Sequence, residues 1–209
     1  MSDAMKELAE AGVATVYEAY GRRGLIEGPW DVVTPGRGVA GPARTAVCGP
    51  GDNRAVHEVM AHVQPGEIVV VTMENPEPVA LVGELLATQA IAQGAVGVLV
   101  DAAVRDCAQL AGMRLTTLTR WRHVRGATKS ERGRVNVDVV VGQTLVRPGD
   151  VVVLDDDGAT SVRAEDVDNL LDDVRARIEK ERGLLARWES GELSYDAYGL
   201  RAEDEGSST

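Results

Sequence analysis

The sequence predicts an α/β fold, and three observations support this. Two strongly apolar segments, 68–71 and 96–101, flank a helical segment, which is the strand–helix–strand order of a parallel pair buried on both faces. The second half of the chain carries several short β-branched runs, and residues 164–190 place charges around an incomplete apolar stripe at helical spacing. A sheet layered with helices and a long C-terminal helix is therefore expected.

The elements of the first half follow from apolar spacing and from turn residues. Met5, Leu8, Val13 and Val16 share one face of a helix, and the stretch 21–24 contains the glycines that end it. The predicted elements are, in order, a helix over 3–20, a strand over 39–48, a helix over 54–63, a strand over 68–71, a helix over 78–93 and a strand over 96–101.

The second half is predicted to contain more β-structure before the long helix. Its predicted elements are strands over 135–141, 145–146, 151–154 and 159–162, a helix over 164–190, and a polar end over 202–209 that is expected to fray. The length suits a single domain over 1–209. The helical extension 164–201 is long and highly charged, so we do not expect all of it to pack on the core of its own chain. It is expected to pack on a neighbouring subunit. A surface helix of a monomer is the alternative.

Composition and charge exclude several classes of protein. The net charge is 22 − 33 = −11, and residues 155–209, with 16 acidic and 7 basic side chains, carry −9 of it. Such a chain lacks the basic surplus that binding to phosphates requires, so no nucleic-acid partner is expected. No apolar run approaches the length of a membrane span, so no membrane partner is expected either. Two separated cysteines, Cys48 and Cys107, are typical of reduced thiols in the cytoplasm.

Familiar nucleophile and phosphate-binding motifs are absent, so individual residues must be weighed. His57 and His62 are five residues apart, which does not match a zinc pair, and with His123 they are interpreted as structural or surface residues. His57 is the best candidate of the three because it follows Gly51-Asp52-Asn53. Lys129 is the only lysine with a conceivable Schiff-base role, although its charged neighbours suggest that it is solvated.

The most informative pair is Arg105-Asp106, directly after the predicted strand 96–101. Ligands collect in such loops in α/β sheets. An aspartate is an oxygen ligand for Mg²⁺, and an arginine can bind a carboxylate or an enolate through two N–H groups. Glu84 precedes the pair by 20 intervening residues. The alternative is an exposed, salt-bridged turn without chemistry.

Several segments together resemble the RraA-like family, over nearly the full chain. They are Gly12-Val13-Ala14-Thr15-Val16-Tyr17-Glu18-Ala19, Pro50-Gly51-Asp52-Asn53, Gly83-Glu84-Leu85-Leu86-Ala87, 100–106, Val135-Asn136-Val137, Pro148-Gly149-Asp150, Asp155-Asp156-Asp157-Gly158 and the tail 190–201. Within this family the chain is most similar to the class II pyruvate aldolases that cleave 4-hydroxy-4-methyl-2-oxoglutarate or 4-carboxy-4-hydroxy-2-oxoadipate.

The resemblance implies a mixed central sheet like that of the swivelling phosphohistidine domain, assembled as a homotrimer or homohexamer. It implies that Asp106 binds Mg²⁺ or Mn²⁺ and that Arg105 binds the oxo acid and stabilises the pyruvate enolate. Glu84 would hold a metal-bound water, and Glu181 would reach across a subunit boundary. Gly83 and the backbone N–H groups of Leu85 and Leu86 would bind the substrate carboxylate, with oxaloacetate decarboxylation as a side activity.

Two other functions remain open on the same scaffold. One is a lyase or decarboxylase with a diverged substrate, and the other is a non-catalytic inhibitor of RNA-degrading enzymes. The basic stretch 114–134 has seven basic residues against one acid. It is expected either to bind the distal carboxylates of an oxo-acid substrate or to contact the acidic tail of a neighbouring subunit.

Overall fold

A mixed β-sheet forms the centre of the molecule, and helices cover it in two groups. The computed structural model describes residues 2–206. The helices are α1 (Asp3–Ala19), α2 (Arg54–Met60), α3 (Glu84–Ala92), α4 (Cys107–Ala111), α5 (Val167–Glu189), α6 (Ser194–Ala197) and α7 (Leu200–Gly206), with one 3₁₀ turn at Ala164–Asp166. The strands are β1 (Asp31–Val32), β2 (Val39–Cys48), β3 (Ile68–Met73), β4 (Ala80–Val82), β5 (Gly97–Val104), β6 (Thr116–Arg122), β7 (Arg134–Val135), β8 (Val139–Val141), β9 (Thr144–Val146), β10 (Val151–Asp155) and β11 (Gly158–Val162).

The strand order of the sheet is β1-β6-β5-β3-β2-β10-β11, with β4 added beside β5 and β7 beside β2. Strands β2, β3, β5 and β6 run parallel, while β1, β10 and β11 pair antiparallel. Leu118 of β6 and Leu154 of β10 share one buried cluster although three strands separate them. The sheet is therefore strongly curved and nearly closed. The prediction of an α/β fold with a mixed sheet is confirmed.

The two groups of helices cover separate clusters of buried side chains. Helices α2, α3 and α4 contribute Val56, Leu86 and Leu110 to one cluster with the parallel strands. Helices α1 and α5 contribute Leu8 and Val174 to another, against β10 and β11. Strands β3 and β5 are buried along their whole length and therefore on both faces, which explains why they are almost continuously apolar in sequence. None of the helices within residues 2–206 has the length and apolarity that crossing a membrane requires.

The first helix differs from its prediction by a break. The helix predicted over 3–20 is interrupted at Gly12, whose φ is 80°. The N–H of Val13, which would otherwise lack a partner at this break, donates to Asp155 Oδ2 at 2.7 Å. An aspartate from the end of β10 therefore caps the second part of α1, and a left-handed residue here requires glycine.

The structure differs from the sequence predictions at three places in the middle of the chain. The helix predicted over 78–93 is wrong at its start, because residues Ala80–Val82 form β4 and the helix begins only at Glu84. The strand predicted over 135–141 is wrong as a single strand, since Asn136 at φ 54° separates β7 from β8. The sequence pattern does not predict strand β6, which lies within the basic stretch 114–134.

The C-terminal helix begins close to where the sequence predicts it. The first half of α5 packs on α1 through Val167, Leu170, Leu171 and Val174, whereas Leu185 in its second half is 56% exposed. The fraying expected over 202–209 stays a prediction: residues 202–206 belong to α7, and residues 207–209 lie outside the described part of the chain. Packing of the extension 164–201 on a neighbouring subunit stays a prediction.

Candidate active site

Two neighbouring parallel strands end at the same edge of the sheet and bring the predicted site residues together. Strand β4 leads directly into Gly83 and the start of α3, and strand β5 leads into Arg105 and Asp106. The backbone N–H of Arg105 donates to the carbonyl of Val82 at 3.1 Å, which ties the two strand ends to each other. Because both ends are fixed by the sheet ladder, the polar residues that follow them are held in a defined arrangement.

Asp106 adopts an unusual backbone conformation that turns its carboxylate toward α3. It has φ 58° and ψ 39°, in the left-handed region, and it precedes the first turn of α4. Its Oδ2 atom accepts the N–H of Glu84 at 3.1 Å and lies 3.7 Å from the Nε atom of Arg105. A Cβ atom at Gly83 would stand 2.5 Å from the same Oδ2 atom, so glycine is required for this close approach.

The N-terminus of α3 has unpaired backbone donors at the site. Gly83 precedes the helix and provides no side chain that could cap it. Glu84 donates its N–H to Asp106, and within residues 2–206 no acceptor meets the N–H of Leu85 or Leu86. The Leu85 side chain is 83% exposed, so its contribution here is its backbone. Unpaired N–H groups at a helix N-terminus attract an anion.

These elements line an open cleft of about 280 Å³. Its lining residues are Asn53, His57, Ala80, Leu81, Val82, Gly83, Glu84, Leu85, Leu86, Arg105, Asp106, Ala127 and Lys129. Of the residues predicted as a site, the structure thus brings together Gly83, Glu84, Leu85, Leu86, Arg105 and Asp106. Arg105 also borders a second, more apolar hollow, formed with Val104, Cys107 and Val124.

Three further residues line this cleft, although the sequence patterns do not assign them to the site. Asn53 is 7% exposed, its amide donates to the carbonyl of Leu81 at 3.0 Å, and its Oδ1 atom is buried without a partner. Burial lowers the pKa of His57, the nearby charge of Lys129 lowers that pKa further, and the charge of Asp52 opposes both effects in part. Lys129 is exposed, as its charged neighbours indicate, and it also lines the cleft. The signal in the sequence was the run Gly51-Asp52-Asn53 before α2, which places polar residues at another strand-to-helix connection.

Glu181 lies outside the cleft of its own chain. It is exposed on α5 and pairs with Arg177 at 2.8 Å. Helix α5 packs on α1, whereas the cleft is built from β4, β5, α3 and the loops around them. A role for Glu181 in catalysis would therefore need a second copy of the chain, and it stays a prediction.

The basic stretch 114–134 is largely neutralised within the chain. Five of its seven basic residues form ion pairs with acidic side chains: Arg120 with Asp101, Arg122 with Asp31, Arg125 with Glu77, Arg132 with Glu58 and Arg134 with Glu74. Lys129 is the basic residue of the stretch that lines the cleft, and no carboxylate of the described residues forms an ion pair with it. Of the basic residues of the stretch, Lys129 is thus the one whose charge faces the cleft without an ion-pair partner in the described chain.

The donor set around Asp106 fits a hard divalent cation that keeps most of its water. Within residues 2–206, no three His, Cys, Asp or Glu side chains cluster, so the described chain offers fewer than three such ligands at any one point. Mg²⁺ is commonly held by one or two carboxylates, with water and substrate completing its shell. Asp106 matches this pattern, because its side chain is 38% exposed and no donor of the described chain reaches its Oδ1 atom. Glu84 is exposed in the same cleft and can hold water beside the ion.

Comparisons with known proteins agree with this architecture. A relative from Halalkalibacterium halodurans, named "Putative 4-hydroxy-4-methyl-2-oxoglutarate aldolase", is 30% identical over 139 residues, which cover 66% of this chain and 66% of the relative. The chain thus spans just under two thirds of that relative's length. An uncharacterized protein from Pseudomonas syringae pv. tomato str. DC3000 shares the fold with a TM-score of 0.84 at 22% identity, over 93% of this chain and 92% of its own.

A third similar protein has a different described role. Streptomyces coelicolor RraAS2, described as an unusual member of the RNase ES inhibitor RraA protein family, has a TM-score of 0.76 at 27% identity, over 90% of this chain and 96% of its own. The family model described as RraA-like, Aldolase/RraA, matches residues 7–160, well over half of the chain. The chain therefore belongs to the RraA-like family.

Proposed function

We propose that this protein is a divalent-metal-dependent aldolase that cleaves a 4-hydroxy-2-oxo acid to pyruvate and a second oxo acid. One observation carries the proposal: Arg105, Asp106 and the unpaired N–H groups of α3 meet in a single cleft. A guanidinium, a carboxylate with a free oxygen and a helix N-terminus together suit a small anion that gains charge during reaction.

The substrate class follows from the charges of the cleft. The backbone N–H groups of Leu85 and Leu86 bind the carboxylate next to the oxo group, and Arg105 donates to the oxo oxygen. Lys129 binds a second, distal carboxylate, which favours 4-hydroxy-4-methyl-2-oxoglutarate or 4-carboxy-4-hydroxy-2-oxoadipate as substrate. Asp106 and Glu84 hold Mg²⁺ or Mn²⁺ with its water, and the bound ion supplies Lewis-acid polarisation of the oxo acid.

Cleavage moves one proton and one electron pair. Glu84 orients a water that takes the proton of the 4-hydroxyl group, and the C3–C4 bond breaks as the second oxo acid forms. The electron pair of that bond passes into the enolate of pyruvate, whose oxygen stays beside the Arg105 guanidinium. The same water then returns that proton to C3, which gives pyruvate and restores the site. Charge on the enolate is greater than charge on the substrate oxygen, so Arg105 stabilises the transition state more than the bound substrate.

The same enolate forms when oxaloacetate loses CO₂, so oxaloacetate decarboxylation accompanies the aldolase activity. The assembly that completes the site is a homotrimer or homohexamer in which Glu181 of one subunit reaches the cleft of the next. The similarity to RraAS2 supports a second candidate, a non-catalytic inhibitor of a ribonuclease. The third candidate is a lyase of the same scaffold with another substrate.

The test measures pyruvate release by the purified protein from both candidate substrates, with and without Mg²⁺. We expect activity that EDTA abolishes and Mg²⁺ restores. Arg105→Ala is expected to lower turnover by roughly 10²-fold or more, the scale for removing one preorganised donor. Arg175→Ala is the matched control, because Arg175 is an exposed arginine whose partners, Glu7 and Asp172, do not line the cleft.

Near-normal turnover of Arg105→Ala, or full activity after EDTA treatment, contradicts the proposal. Decarboxylation of oxaloacetate without cleavage of either aldol substrate supports the diverged lyase. Inhibition of a ribonuclease by both the native protein and Arg105→Ala, without release of pyruvate, supports the inhibitor.

A further inference from the structure

A buried carboxylate before α2 anchors one wall of the cleft. Asp52 is 1% exposed. Its Oδ2 atom accepts hydrogen bonds from the Thr128 hydroxyl at 2.7 Å, the Ser130 N–H at 2.5 Å and the Glu131 N–H at 3.2 Å. Its Oδ1 atom accepts the N–H of Arg54 at 2.8 Å. One side chain thus joins the start of α2 to three residues of a distant segment.

That segment, residues 128–131, has little else to hold it. It connects β6 to β7 and contains no helix or regular strand. Thr128 exchanges two backbone hydrogen bonds with Gly51 and Asn53, at 2.9 and 3.0 Å. After Thr128, the N–H groups of Ser130 and Glu131 are both bound by Asp52. A carboxylate that accepts several N–H groups can fix a loop whose backbone lacks ladder partners.

Lys129 is the residue whose position this anchor determines. It lies between Thr128 and Ser130, and both of these neighbours donate to the same oxygen of Asp52. It lines the cleft that contains Arg105, and its charge is close enough to lower the pKa of His57. A long, flexible ammonium side chain has an entropic cost of binding, which a fixed backbone reduces.

We propose that Asp52 is a positioning residue: by holding residues 128–131 against the start of α2, it keeps the Lys129 ammonium in the cleft, where it binds the distal carboxylate of the substrate. Asp52 itself is buried behind the wall and does not touch the substrate. The part of this inference that concerns substrate rests on the proposed function, whereas the anchoring of Lys129 does not.

A double-mutant cycle of Asp52→Asn and Lys129→Met tests the kinetic part. A distal carboxylate is bound equally in the ground state and the transition state, so its loss raises KM and leaves kcat within about twofold. Each single variant is expected to raise KM roughly tenfold, the size of one charge-assisted hydrogen bond. The double variant should raise KM no further, because both changes remove the same contact.

Asp150→Asn is the matched control. Asp150 is likewise buried, at 3% exposed, and accepts the N–H of Arg147 at 2.9 Å, but it lies at the turn before β10 and does not line the cleft. It should lower stability while leaving KM unchanged. Thr128→Val removes one donor to Asp52 and is expected to raise KM about threefold. If Asp52→Asn does not fold, Thr128→Val replaces it in the double-mutant cycle with Lys129→Met.

The structural part is measured without any catalysis, by NMR titration of His57 and by amide exchange. Lys129→Met should raise the pKa of His57 in the native background. In the Asp52→Asn background the same change should have less than half of that effect, because Lys129 has already left. The amides of Ser130 and Glu131 should exchange faster in Asp52→Asn but not in Asp150→Asn.

These outcomes separate the two proposals. If His57 and the amides respond as expected while no aldolase activity exists, Asp52 anchors Lys129 and the proposed function is wrong. If KM effects of Asp52→Asn and Lys129→Met add, or if Lys129→Met shifts the pKa of His57 equally in both backgrounds, the positioning role of Asp52 is wrong.

Discussion

Replacement of Gly83 by alanine tests the construction of the site with a single methyl group. Gly83 has φ −146° and ψ −168°, an extended conformation that alanine adopts without strain. The new Cβ atom would stand 2.5 Å from Asp106 Oδ2 and 3.0 Å from Arg105 Cγ. The carboxylate oxygen must move by about 0.9 Å, from 2.5 to 3.4 Å, before ordinary contact is restored. The change therefore acts on the two proposed functional side chains.

The expected result is a large loss of activity with a small loss of stability. A displacement of about 1 Å costs roughly 10²-fold in rate when reacting groups must be aligned, so kcat/KM for pyruvate release should fall by about that factor. Alanine at the position before α3 costs about 1 kcal/mol in the free energy of unfolding. Mg²⁺ affinity should also weaken, because the Asp106 carboxylate is displaced. Pyruvate release coupled to lactate dehydrogenase, urea unfolding and calorimetric Mg²⁺ titration measure the three effects.

Gly112→Ala is the control for this experiment. Gly112 ends α4, close in sequence to Asp106, but its φ is −87° and a Cβ atom there would lie 3.6 Å from the nearest atom, the carbonyl oxygen of Gln109. This variant should keep native activity. Native kcat/KM in folded Gly83→Ala would refute the reasoning, because it would show that neither Asp106 nor Arg105 has to occupy its present position.

Two further predictions concern stability and assembly. Burial disfavours the charged form of Asp52, but its hydrogen bonds outweigh burial and lower its pKa to about 2. A lowered pKa adds stability above the unfolded pKa of 3.8, on the order of 2 kcal/mol, and this stability is lost as pH falls from about 4 to 2. Urea unfolding across that range should show the loss in the native protein and a flatter profile in Asp52→Asn. For assembly, a mixture of Arg105→Ala and Glu181→Gln subunits, each nearly inactive alone, should recover activity after exchange of subunits. Activity can recover only if each site contains residues from two chains. If activity does not recover, Glu181 has no part in catalysis.

The sequence predicts the strands well where burial alone determines them. Strand β2 has the predicted bounds. Strands β3 and β10 extend their predictions by two residues and one, because apolar β-branched runs in a buried sheet allow few other structures. The errors lie where tertiary contacts override local preference. Residues Ala80–Val82 are compatible with the start of a helix, and they form a strand because β5 provides a parallel partner. Strand β6 carries Arg120 and Arg122, and two charged residues are not typical of a strand in a central sheet. Their charges are neutralised by ion pairs with Asp101 and Asp31, which are distant in the sequence.

The candidate site could be predicted only in part, for a related reason. Arg105-Asp106 follows a recognisable strand, so its location at a sheet edge follows from the chain order. The approach of Gly83 to Asp106 depends on the pairing of β4 with β5, which no local pattern reveals. Lys129 lies between two residues, Thr128 and Ser130, that donate hydrogen bonds to the buried carboxylate of Asp52, 77 residues before Lys129 in the chain. Contacts between distant parts of a chain cannot be derived from the spacing of residues.

The two sides of the cleft are built on different structural elements, one on a strand end and one on a loop. This difference leads to a prediction about substrate choice. Arg105 and Asp106 stand at the end of a strand, whereas Lys129 stands on a loop that Asp52 holds. The first side would bind the part common to every substrate that yields the pyruvate enolate. Oxaloacetate has no carboxylate beyond the one that it loses as CO₂, so it has no group for Lys129 to bind. Lys129→Met should therefore raise KM for 4-hydroxy-4-methyl-2-oxoglutarate roughly tenfold while leaving kcat/KM for oxaloacetate decarboxylation within about twofold of native. An equal loss in both reactions would mean that Lys129 contributes to the chemistry of the enolate and not to the recognition of a distal carboxylate.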